Sequence, residues 1–290
     1  FQKPEDEKTF RLQGNVEADA SGEHEGTVRA EDVTWNTAAR RGRSEGQIAF
    51  TLRTREGTQR GWCTGAEADL LRRRGRMLSK VRLLLEGYGA LLAQGAAAQE
   101  AGAGSQPIGV LCDDAMDVDA VARKAVLRRN VMVTQDDARL ECDTLELEFA
   151  REGSQVEQAV AAGRVRFGVP KEGVSGSGDR LTRHPGRDEA ELEGRPARIS
   201  AQGAEITAER VWMSADQLKA PCAGRLVMRP EEGKGRPAEI RWQGHMQMLR
   251  EARRAEFERG VVFESGEQRV TCRQMVLGLD KSCRRAERVA

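Results

Sequence analysis

Apolar residues recur at every second position over short runs, and glycine-rich or charged segments separate the runs. Val131 and Val133, then Leu140, Cys142, Leu145, Leu147 and Phe149, show the alternation best. A period of two puts successive side chains on opposite faces, so each run predicts a strand with one buried and one wet face. The runs themselves repeat. A glycine or a basic residue opens an apolar run, a polar turn follows, and a small residue, a polar pair and further apolar positions come next. Gly14-Asn15-Val16 leads to Ala30-Glu31-Asp32-Val33, and Arg129-Asn130-Val131 leads to Cys142-Asp143-Thr144-Leu145. Gly163 leads in the same way to Gly178, Gly194 to Ala208, and Gly260 to Cys272. The openings at 14, 46, 129, 163, 194, 224 and 260, with Lys80 filling the long gap, are spaced by roughly 33 residues.

A unit that cannot bury its own face must stack on copies of itself. The pattern therefore predicts an all-β chain, an elongated two-sheet body of about eight strand-turn-strand repeats, with helix below roughly a tenth. The recurring small residue (Ala30, Cys142, Gly178, Ala208, Cys272) marks a column where neighbouring units approach closely. One stretch conflicts with this. Leu70 to Gln94 has helix-forming composition, whereas the repeat phase makes 76–85 a strand. The repeat is preferred there, because tertiary context overrides propensity, and a short helix around 88–98 stays open. Gln94 to Gln106 is rich in Gly and Ala, poor in charge, and reads as a linker.

Composition narrows the function. The 290 residues carry 47 Lys+Arg against 46 Asp+Glu, a net charge of +1, and 32% of them are charged. Charge so evenly balanced does not fit a polybasic nucleic-acid binder, and no partner of that kind is expected. No apolar run is long enough for a membrane-spanning helix. The high charge fraction implies much surface per residue. The chain starts at Phe1 and is expected to be a mature form or an excised piece.

Candidate chemistry is sparse. Six cysteines at long, irregular spacing (63, 112, 142, 222, 272, 283) contain no C-x-x-C pair and read as small hydrophobes in preference to a zinc site, a disulfide or a reactive thiol. His24, His184 and His245 lie far apart, so no metal ligand set and no cofactor are expected. Gly173 to Gly178 lacks the Lys-Ser/Thr that follows a phosphate loop. The acid pairs Asp113-Asp114 and Asp136-Asp137 sit in expected turns, and no catalytic residue is singled out. Arg128, Arg129, Arg164, Arg166 and Arg195 cluster at the run openings, where they meet anions or guard exposed strands.

Three stretches carry a resemblance: Pro107-Ile108-Gly109-Val110-Leu111-Cys112-Asp113, then Arg129-Asn130-Val131-Met132-Val133-Thr134-Gln135, then Arg139-Leu140-Glu141-Cys142-Asp143. In that order they resemble the OstA-like (organic solvent tolerance) family. That family includes the periplasmic lipopolysaccharide-transport bridge protein and the N-terminal domain of its outer-membrane partner. Arg129 stands where the family has Gly, and Cys112 and Cys142 stand where it has Ala. Residues 9–86 look like the related inner-membrane-anchored component. The resemblance implies an antiparallel β-jellyroll, or β-taco, divided into an inner-membrane-component-like part at 1–93, a linker or loop at 94–106 and an OstA-like part at 107–290. It implies a non-enzymatic periplasmic carrier of lipopolysaccharide or another envelope lipid. Its partners would be other β-jellyroll transport proteins joined by edge-to-edge strand addition, or further copies of itself.

The alternating pattern supplies candidates for the lipid groove: Val131, Val133, Leu145, Leu147, Val165, Phe167, Ile199, Val211, Val261 and Phe263. Val262 is also taken on the inner face. Periodicity does not tell a filled core from an open slot, so a structural β-stack without lipid cargo stays the alternative. The last expected strand, Val270 to Leu279, is the edge at which a partner strand is expected to add.

Overall fold

The computed structural model describes residues 9–20, 25–54, 57–87, 91–92, 106–151, 155–201, 203–229, 236–279 and 286–289. The all-β, antiparallel expectation is borne out. The first nine strands in chain order are β1 (Thr9–Ala20), β2 (Glu25–Asn36), β3 (Arg41–Arg53), β4 (Thr58–Asp69), β5 (Arg74–Glu86), β6 (Ile108–Cys112), β7 (Met116–Asp119), β8 (Lys124–Gln135) and β9 (Ala138–Phe149). Then come β10 (Val156–Val169), β11 (Val174–His184), β12 (Glu189–Ala201), β13 (Ala204–Met213), β14 (Gln217–Ala220) and β15 (Gly224–Met228). The chain ends with β16 (Ala238–Trp242), β17 (Met246–Leu249), β18 (Arg254–Ser265), β19 (Gln268–Leu279) and β20 (Ala286–Val289). Among the described residues, helix is limited to single 3-10 turns at Pro170–Glu172 and Pro185–Arg187. Arg74–Glu86 is a strand, so the repeat phase overrides helix propensity there. Residues 88–90 and 93–98 of the possible short helix lie outside the described residues.

Contacts divide the chain into two compact units. Unit one comprises Phe1–Leu92, Ala98–Asp136 and Glu141–Ala161, and unit two comprises Ala93–Ala97, Asp137–Leu140 and Ala162–Ala290. In unit one β1 to β5 pair in sequence, β5 then pairs with both β6 and β7, and both of these pair with β8. In unit two β11, β12 and β13 pair in sequence. There β13 continues onto β14 and β15, these onto β17 and β16, and both of those onto β18, which pairs with β19.

Most long strands change register near their middle. Examples are Gln13/Val16 against β2, Ser44/Gln47 against β4, Ser177/Arg180 against β12 and Glu258/Val261 against β19. These breaks are corners, and they correct the reading of the repeat. Gly14, Gly46, Arg129, Gly163, Gly194 and Gly260 do not open strands but lie inside β1, β3, β8, β10, β12 and β18. Left-handed backbone explains several of them: Arg129 (φ 64) with Asn130 (φ 50), Gly163 (φ 75) with Arg164 (φ 48), and Arg259 (φ 63) with Gly260 (φ 57). Two such residues redirect the strand while the ladder resumes beyond them, so a period-two reading sees two short strands where the chain has one.

The inward set crosses the corners by one of two steps. In β8 it runs Ala125, Leu127, then Val131, Val133, and in β18 Ala255, Phe257, then Val261. In β9 the step is shorter, from Leu140 and Cys142 to Leu145 and Leu147, and β13 repeats it from Ile206 and Ala208 to Val211 and Met213. The small-residue motif therefore marks the inner side of the corner. Cys112 and Cys142 are buried at such positions. Burial pushes the Cys63 thiol up and the Cys112 thiol to about 11, which leaves both protonated and unreactive at neutral pH.

Candidate lipid-binding face

Cross-strand rows build the inner face of each unit. In unit one a single row runs Ala18, Val28, Phe50, Gly61, Leu83, Val110 and Val133 through directly opposed positions. In unit two the corresponding row runs Gly176, Ile199, Ile206, Leu226, Ile240, Phe263 and Val270. Both rows use a glycine as the floor beneath an aromatic ring. A Cβ on Gly61 would lie 2.2 Å from the Phe50 ring, and one on Gly176 would lie 2.4 Å from the Phe167 ring. The aromatic covers the gap that the missing side chain leaves in the row.

The ten candidate residues fall on this inner face in their respective units. Val131, Val133, Leu145 and Leu147 belong to unit one and are buried. In unit two Val165, Ile199, Val211 and Val261 are buried, while Phe167 and Phe263 are half-buried. Phe167, over Gly176, shares the row with Ile199 and Phe263, whereas Val211 lies beyond the corner opposite Leu192. Val262 is the exception to the inner-face reading. It pairs with Arg241 and Thr271 and faces outward, because Val261 and Phe263 on either side of it take the inward positions.

Three polar residues are buried along the apolar face, and none was singled out as functional in the sequence: Ser44 in unit one, whose Oγ donates to Asp32 Oδ1 (3.2 Å), and the larger Gln135 and Arg183. In unit one Gln135 is buried at the end of β8, and its Oε1 accepts the backbone N–H groups of Leu91 (2.8 Å) and Leu92 (3.0 Å). Leu91 is thereby held buried at the end of that face. In unit two Arg183 follows Leu181 at the next inward position of β11 and is 6% exposed. Its Nη2 lies 3.5 Å from Asp188 Oδ1. Burial lowers its pKa, while the charges of Asp188 and Glu172 act against that shift. Glu172 precedes β11 and Arg183 lies near its end, so the bent strand brings its two tips within electrostatic reach. Period-two counting from Leu181 reaches position 183, and its arginine was the available signal.

The outer face carries the charge. Arg43, Glu67, Arg76 and Asp117 are directly opposed across β3, β4, β5 and β7, and Arg41, Asp69, Arg74, Asp119 and Lys124 form the next row. Ion pairs follow these rows, with Arg41 3.0 Å from Asp69 and Arg74 2.7 Å from Asp119. Unit two repeats the device through Arg225–Glu239 (2.6 Å) and Arg241–Glu264 (2.8 Å). Alternating sign across a sheet satisfies the charges locally, which explains how a near-neutral chain contains so many. Arg128, one of the basic residues at the corners, pairs with Asp117. Trp242 is a packing residue, with its Nε1–H donating to Cys222 O at 2.8 Å and its ring 5.4 Å from Phe257. Among the described residues, no three potential metal-binding side chains come together, and no helix is long and apolar enough to cross a membrane.

Residues 113–218 match the family described as "LptA/(LptD N-terminal domain) LPS transport protein". The OstA-like resemblance is borne out over this stretch. It spans β7 to β13 and includes Val131, Val133, Leu145, Leu147, Val165, Phe167, Ile199 and Val211. Among solved structures, the chain is similar to LptH, described as the LptA homologous periplasmic component of the conserved lipopolysaccharide transport device from Pseudomonas aeruginosa. Identity to LptH is 22% and the TM-score 0.34, over 38% of this chain and 77% of that one. No curated protein sequence matches the chain.

Proposed function

We propose that the chain is a non-enzymatic carrier of lipopolysaccharide, or of another acylated envelope lipid, working in the periplasm as one member of a bridge of β proteins. The observation that carries this reading is the match of residues 113–218 to a lipopolysaccharide-transport family. The inner rows supply the physics. An acyl chain lying along Ile199, Ile206, Leu226, Ile240 and Phe263 would keep its methylenes from water, worth about 0.8 kcal/mol for each CH₂ buried. The ten inward residues stand as the proposed lining. The division into parts at 1–93, 94–106 and 107–290 also stands as a proposal.

The sheet ends support edge-to-edge assembly. Among the described residues β1 pairs only with β2, and its Phe10 and Leu12 are 51% and 52% exposed. At the other end, β20 occupies Leu277–Leu279 of β19, which leaves Gln268 to Met275 paired only with β18 among the described residues. A partner strand is therefore expected on that half of the C-terminal edge or along β1.

A specific observation favours the alternative of a β-stack without cargo: eight of the ten lining residues are buried by the protein's own side chains. Photo-crosslinking separates the two. A benzoylphenylalanine placed at Phe167 or Phe263 should crosslink to added lipopolysaccharide, and one placed at Arg241 on the outer face should not. Crosslinks absent from both inner positions in proteins with unchanged circular dichroism would leave the closed core as the better account.

A further inference from the structure

Four hairpin turns share one construction: Thr37–Arg40, Leu70–Arg73, Ala120–Arg123 and Arg250–Arg253. Each is four residues long and ends on an arginine in the left-handed region, at φ 47, 53, 54 and 48 respectively. The three in unit one stack. The N–H of Leu70 donates to Arg40 O (3.0 Å), and the N–H of Ala120 donates to Arg73 O (3.0 Å). Their tips therefore form one continuous rim with successive turns about 10 Å apart, two strand spacings.

This rim carries the most exposed large aliphatic side chains described in the molecule. Leu70 is 57% exposed, Leu71 62% and Val121 69%, and all three sit on adjacent turns. Arginines surround them. Arg40, Arg72 and Arg73 are exposed and Arg123 is half-buried, and among the described residues no carboxylate pairs with Arg40, Arg73 or Arg123. The two acids nearest the tips point back into the turns. Asp69 accepts the N–H of Arg72 (3.0 Å), and Asp119 accepts those of Val121 (3.0 Å) and Ala122 (2.8 Å). Their charges are thus spent on backbone amides and on Arg41, Arg72 and Arg74, and Arg40, Arg73 and Arg123 make the face presented outward cationic beside the protruding aliphatics.

We propose that this rim of unit one docks on the surface of an anionic lipid bilayer. The leucines and the valine enter the boundary between headgroups and acyl chains, and the arginines meet lipid phosphates. Two features favour a bilayer over a protein partner. The apolar groups are flexible aliphatics on protruding tips, where a protein interface concentrates aromatics in a flat, buried patch. The cations ring them at the tips, the arrangement that interfacial membrane binding uses. Unit two supplies the internal control, because its turn of the same construction carries Arg250 and Glu251 where Leu70 and Leu71 stand, and Glu251 where Val121 stands. The inference is independent of the lipid-carrier reading.

Vesicle co-sedimentation of the full chain tests it. The chain should bind vesicles of 70% phosphatidylcholine and 30% phosphatidylglycerol, with binding falling steeply as salt rises, and should bind pure phosphatidylcholine at least ten-fold less. The triple variant L70S/L71S/V121S should bind the anionic vesicles at least five-fold less, with unchanged circular dichroism. R72S/R73S should weaken binding and flatten its salt dependence. Equal binding to both vesicle types, undiminished binding by the triple variant, or no vesicle binding with the rim instead capturing an acidic protein would each overturn the proposal.

Discussion

Unit one and unit two obey the same backbone rules and distribute their apolar side chains differently. Unit two places most of them inside and exposes Val270 and Val276 on β19. Phe257, Ile240 and Leu277 are wholly buried, and its Arg250–Arg253 turn is polar apart from Ala252. Unit one leaves Phe10 and Leu12 half exposed on its first strand and presents Leu70, Leu71 and Val121 at its turn tips. The corners differ in the same sense, since the left-handed pair is Arg129-Asn130 in β8 and Arg259-Gly260 in β18. The lesson is that turn and corner geometry is fixed by a few backbone requirements, while the side chains set on that geometry are free to serve a surface.

The largest expected contrast lies in packing. Phe257→Ala should lower stability by about 3–5 kcal/mol, the usual range for a fully buried ring, and Phe10→Ala by less than about 1 kcal/mol, as urea unfolding would read. Similar losses at the two sites would dissolve the distinction. Next come the corners. Gly260→Ala should destabilise by about 1–2 kcal/mol, because φ 57 disfavours a Cβ and that Cβ would meet Gln243 at 2.8 Å. Asn130→Gly should be neutral or stabilise by up to about 1 kcal/mol in the same assay. A stabilising Gly260→Ala would show that the two corners are built on different principles.

A transplant is expected to act more weakly. The variant E251L sets an aliphatic at the turn position that Leu71 and Val121 hold in unit one and should raise binding to anionic vesicles about two-fold. An unchanged value would mean that the polypeptide around the rim, not its side chains, makes the difference. The smallest effect concerns pH. The Arg72 N–H, followed by the Arg41 side chain and charge, holds the Asp69 carboxyl below its ordinary 3.8. The Ala122 N–H, with Arg74, does the same for Asp119. A folded-state pKa below the unfolded one contributes stability that is present above 3.8 and is lost as pH falls through the lower folded value. Protection of the Arg72 and Ala122 amides from exchange should thus hold steady down to about pH 4 and then weaken. The Arg250–Arg253 turn, preceded by Leu249 where the others have Asn36, Asp69 or Asp119, should show no such step.

The strands of unit two and the β8–β9 region were legible because alternation there is nearly unbroken. Val131, Val133, Leu145 and Leu147 could be read directly as inward positions. The corners were visible as motifs but mistaken for strand starts. A left-handed pair breaks the alternation locally, and no sequence signal says that hydrogen bonding resumes beyond it. Val262 sat in an all-apolar run, where periodicity does not choose a face. Gln135 and Arg183 occupy inward positions by simple counting, but polar identity hid them, since a polar residue at an inward position reads as a break in the pattern. Leu70 and Leu71 were absorbed into a stretch contested between helix and hairpin, and only the three-dimensional rim reveals them as exposed.

The hydrogen bonds that tie one turn to the next also bear on how such a chain can vary. A hairpin tip is ordinarily where a protein absorbs inserted residues, yet along the rim of unit one each turn supports its neighbour, as the N–H of Phe149 donating to Arg123 O continues; within unit two, the N–H of Leu279 donates to Arg253 O in the same way. Lengthening one of these turns would unseat two. The opposite ends of the strands also hold such a bond, the N–H of Arg229 donating to Gly203 O (2.7 Å), but their connections differ in length: β8 and β9 are joined there by two residues, while β15 and β16 are nine residues apart and β5 and β6 are separated by 87–107. In unit one, growth and shrinkage would fall at that end of the strands, and the stacked four-residue turns Thr37–Arg40, Leu70–Arg73 and Ala120–Arg123 would keep their length.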